Sequence, residues 1–465
     1  MLAGVHRLAA RAGFHLRYGR SLLVRRWREL EESQWWPPEK VKELQWQKLQ
    51  RLSQHAYEHV PFYRQWMKDA GVHPEGIRTP EDYSSLPIMT KADINEHLEE
   101  MVADGFPRSR LIKTASGGST GAPVHLYHDR DFIACYRAAK LRNFKWAGWQ
   151  PGDAWARIWG SAFDVAPHER LLQRLADRAV RARFLLAFDL SEEAMARFAS
   201  TLQRFRPDLI EAYATAMYVF AAHVSSHGVR GIRPRGIICS AEMLLEHHRR
   251  AIEEAFGCRV FNRYGGREMG DVSQECEMGS MHINAESMYV EVVTNGRLAS
   301  PGERGEIILT SLDLYSAPLL RYRVEDVGTL ATGKCSCGRG LPMLSSIEGR
   351  VQGVIALPSG KYVSGVFFPH LFKDFDVVQY QVVQESLEEV NIRLVAGPGL
   401  TEEDKGFILR TIREYTRGEL RVRFTLLDEI EAGPSGKFQY TVSNVPLNLA
   451  RVESSTTTRP GGPRA

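Results

Sequence analysis

The sequence predicts an α/β protein of two domains, a large one built on parallel β-strands and a small α+β one at the C-terminal end. The chain has 465 residues, more than one ordinary hydrophobic core holds. Strand-like and helix-like segments alternate between residues 155 and 256, which is typical of a parallel sheet with crossover helices. A glycine-flanked segment at 348–353 then separates a last block of mixed strands and helices. We therefore expect a large domain over 39–348 and a small domain over 349–447.

The two ends of the chain lie outside these domains. Residues 1–38 predict a basic helical extension, since residues 1–28 contain seven arginines and no carboxylate. Such a segment is typical of a targeting or membrane-surface helix, or of a basic helix that packs on the main body, and we favour the last interpretation. Residues 448–465 predict a disordered tail, because Ser, Thr, Pro and Gly predominate there.

Composition argues against several classes of function. The 60 Lys and Arg residues against 56 Asp and Glu leave a net charge of only +4, spread along the chain, so we expect no nucleic acid partner. No apolar stretch approaches the ~20 residues that cross a bilayer, and we expect a cytoplasmic protein without a transmembrane segment. Six cysteines in a chain of this size do not predict a disulfide framework.

The large domain opens with helices. Residues 39–70 predict two helices separated at Pro61, and Thr90 and Asp93 have the spacing of a capping box at the start of a later short helix. Further helices are predicted over 129–147, 191–204, 214–227 and 244–256, with strands at 155–159, 207–213 and 235–242.

The pattern changes to alternating apolar and polar residues from Met288 onward, which predicts an antiparallel or barrel-like β-subdomain. The small domain that follows combines a hairpin, strands and helices, which predicts the α+β class. Its predicted elements are a hairpin at 358–361, strands at 377–383 and 390–395, and a helix at 401–416.

Residues 113–123 have the composition of a loop that binds phosphate. Glycines let backbone N–H groups face an anion, and Ser and Thr hydroxyls add further donors. The spacing is neither that of the Walker loop nor that of the dinucleotide fingerprint, and a flexible surface hairpin is the alternative. The candidate phosphate-binding residues are Ser116, Gly117, Gly118, Ser119, Thr120 and Gly121.

Five further segments follow this loop in order. They are Cys239–Glu242, Asn262–Glu268, Leu320–Asp326, Gly349–Arg350 and Pro434–Lys437. Together with the loop, their order and spacing resemble the adenylate-forming (ANL) ligases, and most closely the phenylacetate-CoA ligase-like and CapK-like capsule-biosynthesis branch. The resemblance covers roughly residues 40–447. Each motif alone is weak, and the ordered set is specific.

The resemblance implies a large adenylating domain over 39–348, which binds ATP and an acid, and a small mobile domain that carries a catalytic lysine. The loop at 116–121 would hold the β- and γ-phosphates of ATP, and Asp326 would bind both ribose hydroxyls. The residues that would enclose the adenine are Ala241, Glu242, Tyr264 and Gly265.

The resemblance also implies catalytic roles for three charged residues. Glu268 would help to hold Mg²⁺, Arg350 would contact ribose or phosphate, and Lys437 would reach the carboxylate and the α-phosphate from the small domain. Attack of a carboxylate on the α-phosphate brings two anions together, so the site needs cations. The alternative for each residue is an ordinary solvated or ion-paired side chain.

The implied activity is ATP-dependent, AMP-forming activation of a carboxylic acid, followed by transfer of the acyl group to a thiol. Trp159, Phe163 and Tyr213, with Gly265, are the candidates for the acid pocket, and their character favours an aryl or other apolar acid. The acceptor is coenzyme A, another thiol, or an amine. Ala122, where many relatives have a lysine, favours the remaining alternative, a non-catalytic nucleotide-binding protein of a polysaccharide cluster. A homodimer is compatible with each reading.

Two loops contain residues that suit a structural metal site. Cys335 and Cys337 lie one residue apart, and Cys276 and His282 lie in a second loop. Three thiolates and an imidazole form a suitable tetrahedral set for Zn²⁺, and similar proteins of this branch carry cysteines in the matching loops. Four unligated residues in two surface loops are the alternative.

Overall fold

The fold is taken from a computed structural model, which describes residues 21–115, 124–159, 181–187, 190–348, 354–359, 362–365, 367–372, 375–430 and 440–445. Helices of this part of the chain are named in chain order. They are α1 (Leu22–Ser33), α2 (Pro38–His59), α3 (Pro61–Asp69), α4 (Pro80–Ser84), α5 (Lys91–Glu96), α6 (Arg130–Trp146), α7 (Glu192–Phe205), α8 (Ala214–Ser226), α9 (Glu246–Phe256), α10 (Phe367–Phe372) and α11 (Glu402–Tyr415).

The strands of the first 348 residues are named in the same way. They are β1 (Ile112–Ala115), β2 (His125–His128), β3 (Trp155–Ile158), β4 (Ala182–Leu185), β5 (Leu209–Tyr213), β6 (Gly236–Ser240), β7 (Arg259–Gly266), β8 (Gly270–Glu275), β9 (Met281–Ile283), β10 (Met288–Thr294), β11 (Arg297–Leu298), β12 (Arg304–Ser311), β13 (Tyr322–Leu330) and β14 (Met343–Glu348).

Twelve of these strands form one sheet in the order β11-β10-β12-β13-β14-β9-β8-β7-β6-β5-β3-β4. Strands β4, β3, β5, β6 and β7 pair in parallel, and α8 and α9 connect β5 to β6 and β6 to β7. All residues of β5 and β6 are buried, as expected for central strands of a parallel sheet with both faces covered. The predicted α/β class is confirmed.

The β-rich region after Met288 is continuous with the parallel strands, whereas the sequence predicted a subdomain of its own. The strand β7 pairs in parallel with β6 and in antiparallel with β8, so it joins the two halves of the sheet. Strands β8 to β14 then extend the sheet by antiparallel pairing. The alternation of apolar and polar residues predicted antiparallel strands. It did not indicate that these strands continue the parallel sheet from β7.

Local sequence signals set the helix boundaries in the first part of the chain. Pro61 separates α2 from α3, and Thr90 caps α5 in a box in which the Asp93 side chain accepts from the backbone N–H of Thr90. Thr79 and Asp82 form the same box at the start of α4. Each box satisfies N–H groups that have no partner within the helix, which explains why these short helices begin at these residues.

Helix α1 packs on the main body, in agreement with the favoured interpretation of the basic N-terminal segment. Val24, Trp27 and Leu30 are buried, and Ser33 donates to Glu286, which also accepts from Arg142 at 2.7 Å. Residues 1–20 lie outside the described part of the chain. No helix that the structure describes combines the length and the apolar character that crossing a membrane requires.

The C-terminal region has its own sheets. A hairpin joins β15 (Val354–Ala356) to β16 (Tyr362–Ser364), and four strands pair in the order β19-β18-β17-β20. The central pair is antiparallel, and the two outer strands pair in parallel with it, so the region is of the α+β class together with α10 and α11. The strands of this sheet are β17 (Val377–Ser386), β18 (Glu389–Ala396), β19 (Arg421–Leu426) and β20 (Thr441–Ser443).

A buried carboxylate joins three strands and one helix of the large sheet. Glu211 in β5 is fully buried and pairs with Lys140 Nζ of α6 at 2.7 Å and with Arg157 Nε of β3 at 3.1 Å. Its Oε1 also accepts from Arg263 of β7. Asp271 of β8 lies 3.5 Å from the Arg263 guanidinium and is the second anion of this cluster. We call these five residues the Glu211 network.

The Glu211 network contains one cation more than it has anions. Burial alone would raise the pKa of Glu211, but the charges of Arg157, Lys140 and Arg263 together lower that pKa well below its usual range. The pKa of Lys140 is lowered to about 8, first by burial and then by repulsion from Arg157. The attraction of Glu211 raises this pKa, but by less than these two effects lower it. Glu211 is therefore ionised at neutral pH, and Lys140 is the cation whose charge is least stabilised.

We expect Glu211→Gln to destabilise the large domain by about 3–5 kcal/mol, since removing the central anion leaves buried cations uncompensated. Lys140→Met should cost far less, because it removes the surplus charge and keeps an apolar stem. Urea unfolding followed by tryptophan fluorescence measures both. Glu303→Gln, which breaks the exposed pair with Arg297, is the control and should leave the midpoint unchanged. Equal losses in the Glu211 and Lys140 variants would contradict this account.

Candidate active site

The end of β6 and the two residues after it are fixed by contacts with helix α8 and strand β7. Ala241 adopts a left-handed backbone with φ of 69°, and Glu242 turns back so that its Oε2 accepts from the N–H of Thr215 at 2.7 Å. Thr215 lies in the first turn of α8, where a carboxylate is stabilised by free N–H groups. Ser240 Oγ donates to the carbonyl of Arg263 at 2.9 Å. The predicted adenine-binding residues Ala241 and Glu242 thus lie at the carboxyl end of β6, which pairs in parallel with β5 and β7.

Two predicted nucleotide-binding residues that are distant in the sequence are in direct contact. The Oη of Tyr264 in β7 donates to Oδ2 of Asp326 in β13 at 2.9 Å. The residue before Asp326, Glu325, has a left-handed φ of 65° and is paired with Lys91 at the start of α5. A non-glycine residue rarely adopts such a backbone, so the pair with Lys91 helps to hold the irregular part of β13 that presents Asp326.

The turn between β7 and β8 requires glycine. Gly265 faces Asp271 across the hairpin, and a Cβ at Gly265 would lie 2.4 Å from the carbonyl oxygen of Gly270. A Cβ at Gly266 would lie 2.7 Å from Oε2 of Glu268, so the Glu268 side chain folds back over this glycine. No cation of the described residues pairs with the Glu268 carboxylate, which leaves it available as an oxygen ligand.

The same turn holds both strands that flank the predicted phosphate loop. Strands β1 and β2 form an antiparallel pair, with Ala115 opposite His125. Arg267 donates to the carbonyl of Ala115 at 3.3 Å, and Nε2 of His128 donates to the carbonyl of Glu268 at 3.1 Å. Residues 116–123 themselves lie outside the described part of the chain. The residue before the loop, Ala115, and the far end of β2, His128, are therefore both attached to the turn that carries the predicted Mg²⁺ ligand.

The candidate acid-pocket residues Trp159 and Tyr213 are brought together at the ends of β3 and β5. Their ring centroids are 4.2 Å apart at 39°, and the Arg157 guanidinium lies 4.4 Å from the centroid of Trp159. Arg263 is 5.8 Å from the same ring. Sequence reasoning found the aromatic residues and missed these cations. The one available signal was Glu211, a carboxylate inside an otherwise apolar strand.

The structure does not describe every predicted site residue. The phosphate loop, Ser116 to Gly121, lies outside the described residues, and so do Phe163, Arg350 and Lys437. Their assigned roles stay predictions.

The four predicted metal ligands converge. Cys276 follows β8, His282 lies in β9, and Cys335 and Cys337 lie between β13 and β14. The sulfurs of Cys276 and Cys335 are 3.7 Å apart, and Cys337 Sγ is 3.2 Å from His282 Nε2. All four ligand atoms lie within 4.8 Å of one another. These loops are adjacent because β9 pairs with both β8 and β14.

The surroundings of this cluster suit a metal ion. The other ring nitrogen of His282, Nδ1, donates to the carbonyl of Leu341 at 3.2 Å, which directs Nε2 toward the thiols. Backbone N–H groups of Met278 and Cys337 donate to the sulfurs of Cys276 and Cys335 at 3.3 and 3.4 Å. Such donors stabilise thiolates, and three thiolates with one imidazole match the structural zinc sites of proteins.

Comparison with known proteins agrees with this geometry. A family model described as the CapK C-terminal domain matches residues 355–444. The chain is 26% identical over 379 residues to the phenylacetate-coenzyme A ligase of Thermus thermophilus, covering 77% of this chain and 82% of the ligase. It is 23% identical to protein CapK of Staphylococcus aureus, covering 87% and 89% of the two chains. These similarities confirm the predicted resemblance to the phenylacetate-CoA ligase-like and CapK-like branch of the adenylate-forming ligases.

Solved structures of adenylate-forming ligases have the same fold. A 2-hydroxyisobutyryl-CoA ligase in complex with its acyl-AMP and coenzyme A, in the thioesterification state, matches with a TM-score of 0.63 at 20% identity, covering 90% of this chain and 92% of that one. The open conformation of the same ligase matches with a TM-score of 0.59. The CapK-type match at residues 355–444 lies within the predicted small domain.

We expect about one Zn²⁺ per chain in the purified protein and almost none in Cys276→Ser and Cys335→Ser, because three ligands no longer hold the ion tightly. Elemental analysis after exhaustive dialysis measures this. Cys258→Ser is the matched control, since this thiol lies outside the cluster, and it should retain the metal. A stoichiometry near zero in the unaltered protein would reject the site.

Proposed function

We propose that this protein is an ATP-dependent, AMP-forming ligase that activates a carboxylic acid as an acyl-adenylate and transfers the acyl group to coenzyme A. The observation that carries the proposal is the contact between Tyr264 and Asp326. It places a ring suited to stack on adenine beside a carboxylate suited to bind ribose hydroxyls. The Ala241–Glu242 segment follows the strand next to β7, where the ligands of open α/β sheets bind.

The phosphates of ATP would lie between the 116–121 loop and the β7–β8 turn. The loop would supply backbone N–H and hydroxyl donors, and the Glu268 carboxylate, with no cation of the described residues paired to it, would serve as one ligand of the Mg²⁺ that accompanies ATP. Arg267 holds the carbonyl of Ala115 just before the loop, and the carbonyl of Glu268 accepts from His128 of β2. In the first half-reaction a carboxylate oxygen forms a bond to the α-phosphorus, and pyrophosphate leaves.

Lys437 would supply the cation at the point where the two anions meet. Negative charge shifts onto the bridging and leaving oxygens as the new bond forms, and an ammonium group placed there stabilises the transition state. Lys437 lies in the proposed small domain over 349–447, so it would reach the large domain only in one arrangement of the two. The segment at 348–353, with Arg350, is the proposed hinge.

The acceptor in the second half-reaction would be the thiol of coenzyme A. Curated relatives over most of the chain are phenylacetate-coenzyme A ligases, and the ligase structure of similar fold contains coenzyme A. The thiolate would attack the acyl carbonyl, and AMP would leave. The acid itself would lie near Trp159 and Tyr213, with Phe163 and Gly265 as further contacts, and their character favours an aryl acid.

A panel of aryl, hydroxy and aliphatic carboxylates, scored by pyrophosphate release and then with coenzyme A added, tests this function. We expect release with at least one acid, acyl-CoA formation with the best acid, and loss of most of this activity in Lys437→Ala with ATP binding retained. Lys68→Ala, on the exposed side of α3, is the control. Thiol-independent release that consumes an amine would assign an amide-forming ligase, and ATP binding without release under any acid would assign a non-catalytic protein.

Variants of Tyr264 and Asp326 test the proposed adenine contact and the proposed ribose contact separately. Asp326→Asn should raise the KM for ATP by about tenfold or more, because hydrogen bonds to a charged acceptor are replaced by weaker ones. Tyr264→Phe keeps the ring and removes only the hydroxyl, so a smaller increase is expected. Steady-state adenylation measures both, with Glu303→Gln as control. An unchanged KM for ATP in Asp326→Asn would contradict the ribose assignment.

A further inference from the structure

A second group of metal-binding residue types lies on α7 and α8, away from the cysteine cluster. Ser191 caps α7 by accepting from the N–H of Ala194, which places Glu192 in the first turn of the helix. The helix α8 ends at Ser226, so His223 lies in its last turn and His227 is its C-cap residue. The contact between Glu192 and His227 shows that the start of α7 lies beside the end of α8.

The three side chains are within reach of a common ion. Nε2 of His227 lies 2.9 Å from Oε1 of Glu192, and the rings of His223 and His227 are stacked with centroids 4.1 Å apart at 29°. Each of the three residues offers one ligand atom within 4.8 Å of the other two. Two imidazoles and a carboxylate are a donor set that borderline divalent metals prefer over Mg²⁺ and Ca²⁺.

The two ring nitrogens of His227 face different partners. Nδ1 lies 3.0 Å from the carbonyl oxygen of His223 and 3.1 Å from Oγ of Ser226, and Nε2 faces Oε1 of Glu192. When Nδ1 donates to the carbonyl, the lone pair of Nε2 points at the Glu192 oxygen. Two acceptors at this distance need a cation between them, which is a proton in the metal-free protein and can be a metal ion otherwise.

His223 adds an independent observation. Its side chain is 5% exposed, and its Nδ1 is buried without a hydrogen-bond partner among the described residues. Buried polar side-chain atoms usually have a partner, so an orphan beside a carboxylate and a second imidazole calls for one. The residues also lie at the C-terminal end of α8, where the helix dipole favours a positive charge.

We propose that Glu192, His223 and His227 form a second divalent-metal site that takes zinc, nickel or copper-class ions and joins α7 to α8. Metal bonds of roughly 2.0–2.2 Å place ligand atoms about 3.4 Å apart in a tetrahedral site, and the three ligand atoms, all within 4.8 Å of one another, reach this spacing by small side-chain rotations. The fourth position faces solvent, as expected for a site with three protein ligands. Occupation of the site ties β5, which lies between the two helices in the chain, more firmly to its flanking helices.

Titration of the full-length apo-protein with Co²⁺ tests this site, because thiolate ligands give a sulfur-to-cobalt charge-transfer absorption and imidazole or carboxylate ligands do not. We expect two binding events, one with that absorption from the cysteine cluster and one without it. The combined variant His223→Gln with His227→Gln should weaken the second event at least tenfold and keep the first. Cys276→Ser should do the reverse.

His247→Gln is the matched control, because this exposed histidine lies outside the cluster, and both events should persist in it. Circular dichroism of each apo variant verifies that the helices are retained, and Glu192→Gln provides a second test through the surface residue. A single event with the thiolate absorption, or a second event unaffected by the histidine changes, would overturn the proposal.

Discussion

The Glu211 carboxylate is the constraint on which the arrangement of the large sheet depends. It binds cations from β3, β7 and α6. Strands β3, β5 and β7 each carry a charged residue of the network close to a candidate site residue. Arg157 is two residues before Trp159, Glu211 is two before Tyr213, and Arg263 directly precedes Tyr264. A single buried anion therefore sets the spacing of the three strand ends that present the aromatic side chains, at a cost in desolvation that only the full set of partners offsets.

Much of the fold could be predicted because its signals are local. Capping boxes, proline positions and apolar periodicity lie within a few residues of the elements they specify, and the predicted helices 129–147 and 401–416 match α6 and α11. The continuity of the sheet could not be predicted in this way, because it depends on which edge β8 pairs with. The partners of Glu211 were equally hidden, since Lys140 and Arg263 are 71 and 52 residues away from it.

The candidate site, too, could be predicted only in part from the sequence. The order of motifs pointed to Tyr264 and Asp326, and the Cys and His residues of two loops pointed to four candidate metal ligands. The register of the antiparallel strands explains why residues so distant in the chain come together. Motifs carry residue types but not backbone strain, so the left-handed residue Glu325 in the irregular part of β13 and its pair with Lys91 had no counterpart in the sequence. The roles proposed for Arg350 and Lys437 depend on how the proposed small domain is placed, which no local pattern encodes.

The attachment of both β1 and β2 to the β7–β8 turn has an evolutionary consequence. Arg267 and Glu268 are neighbours. Arg267 holds the carbonyl of Ala115 just before the glycine-rich segment, and the carbonyl of Glu268 holds His128 at the end of β2 farther from that segment. Lengthening or shortening this turn by one residue would shift one anchor relative to the other. Insertions in these two regions should therefore be selected jointly, and relatives that remodel one of them are expected to have remodelled the other.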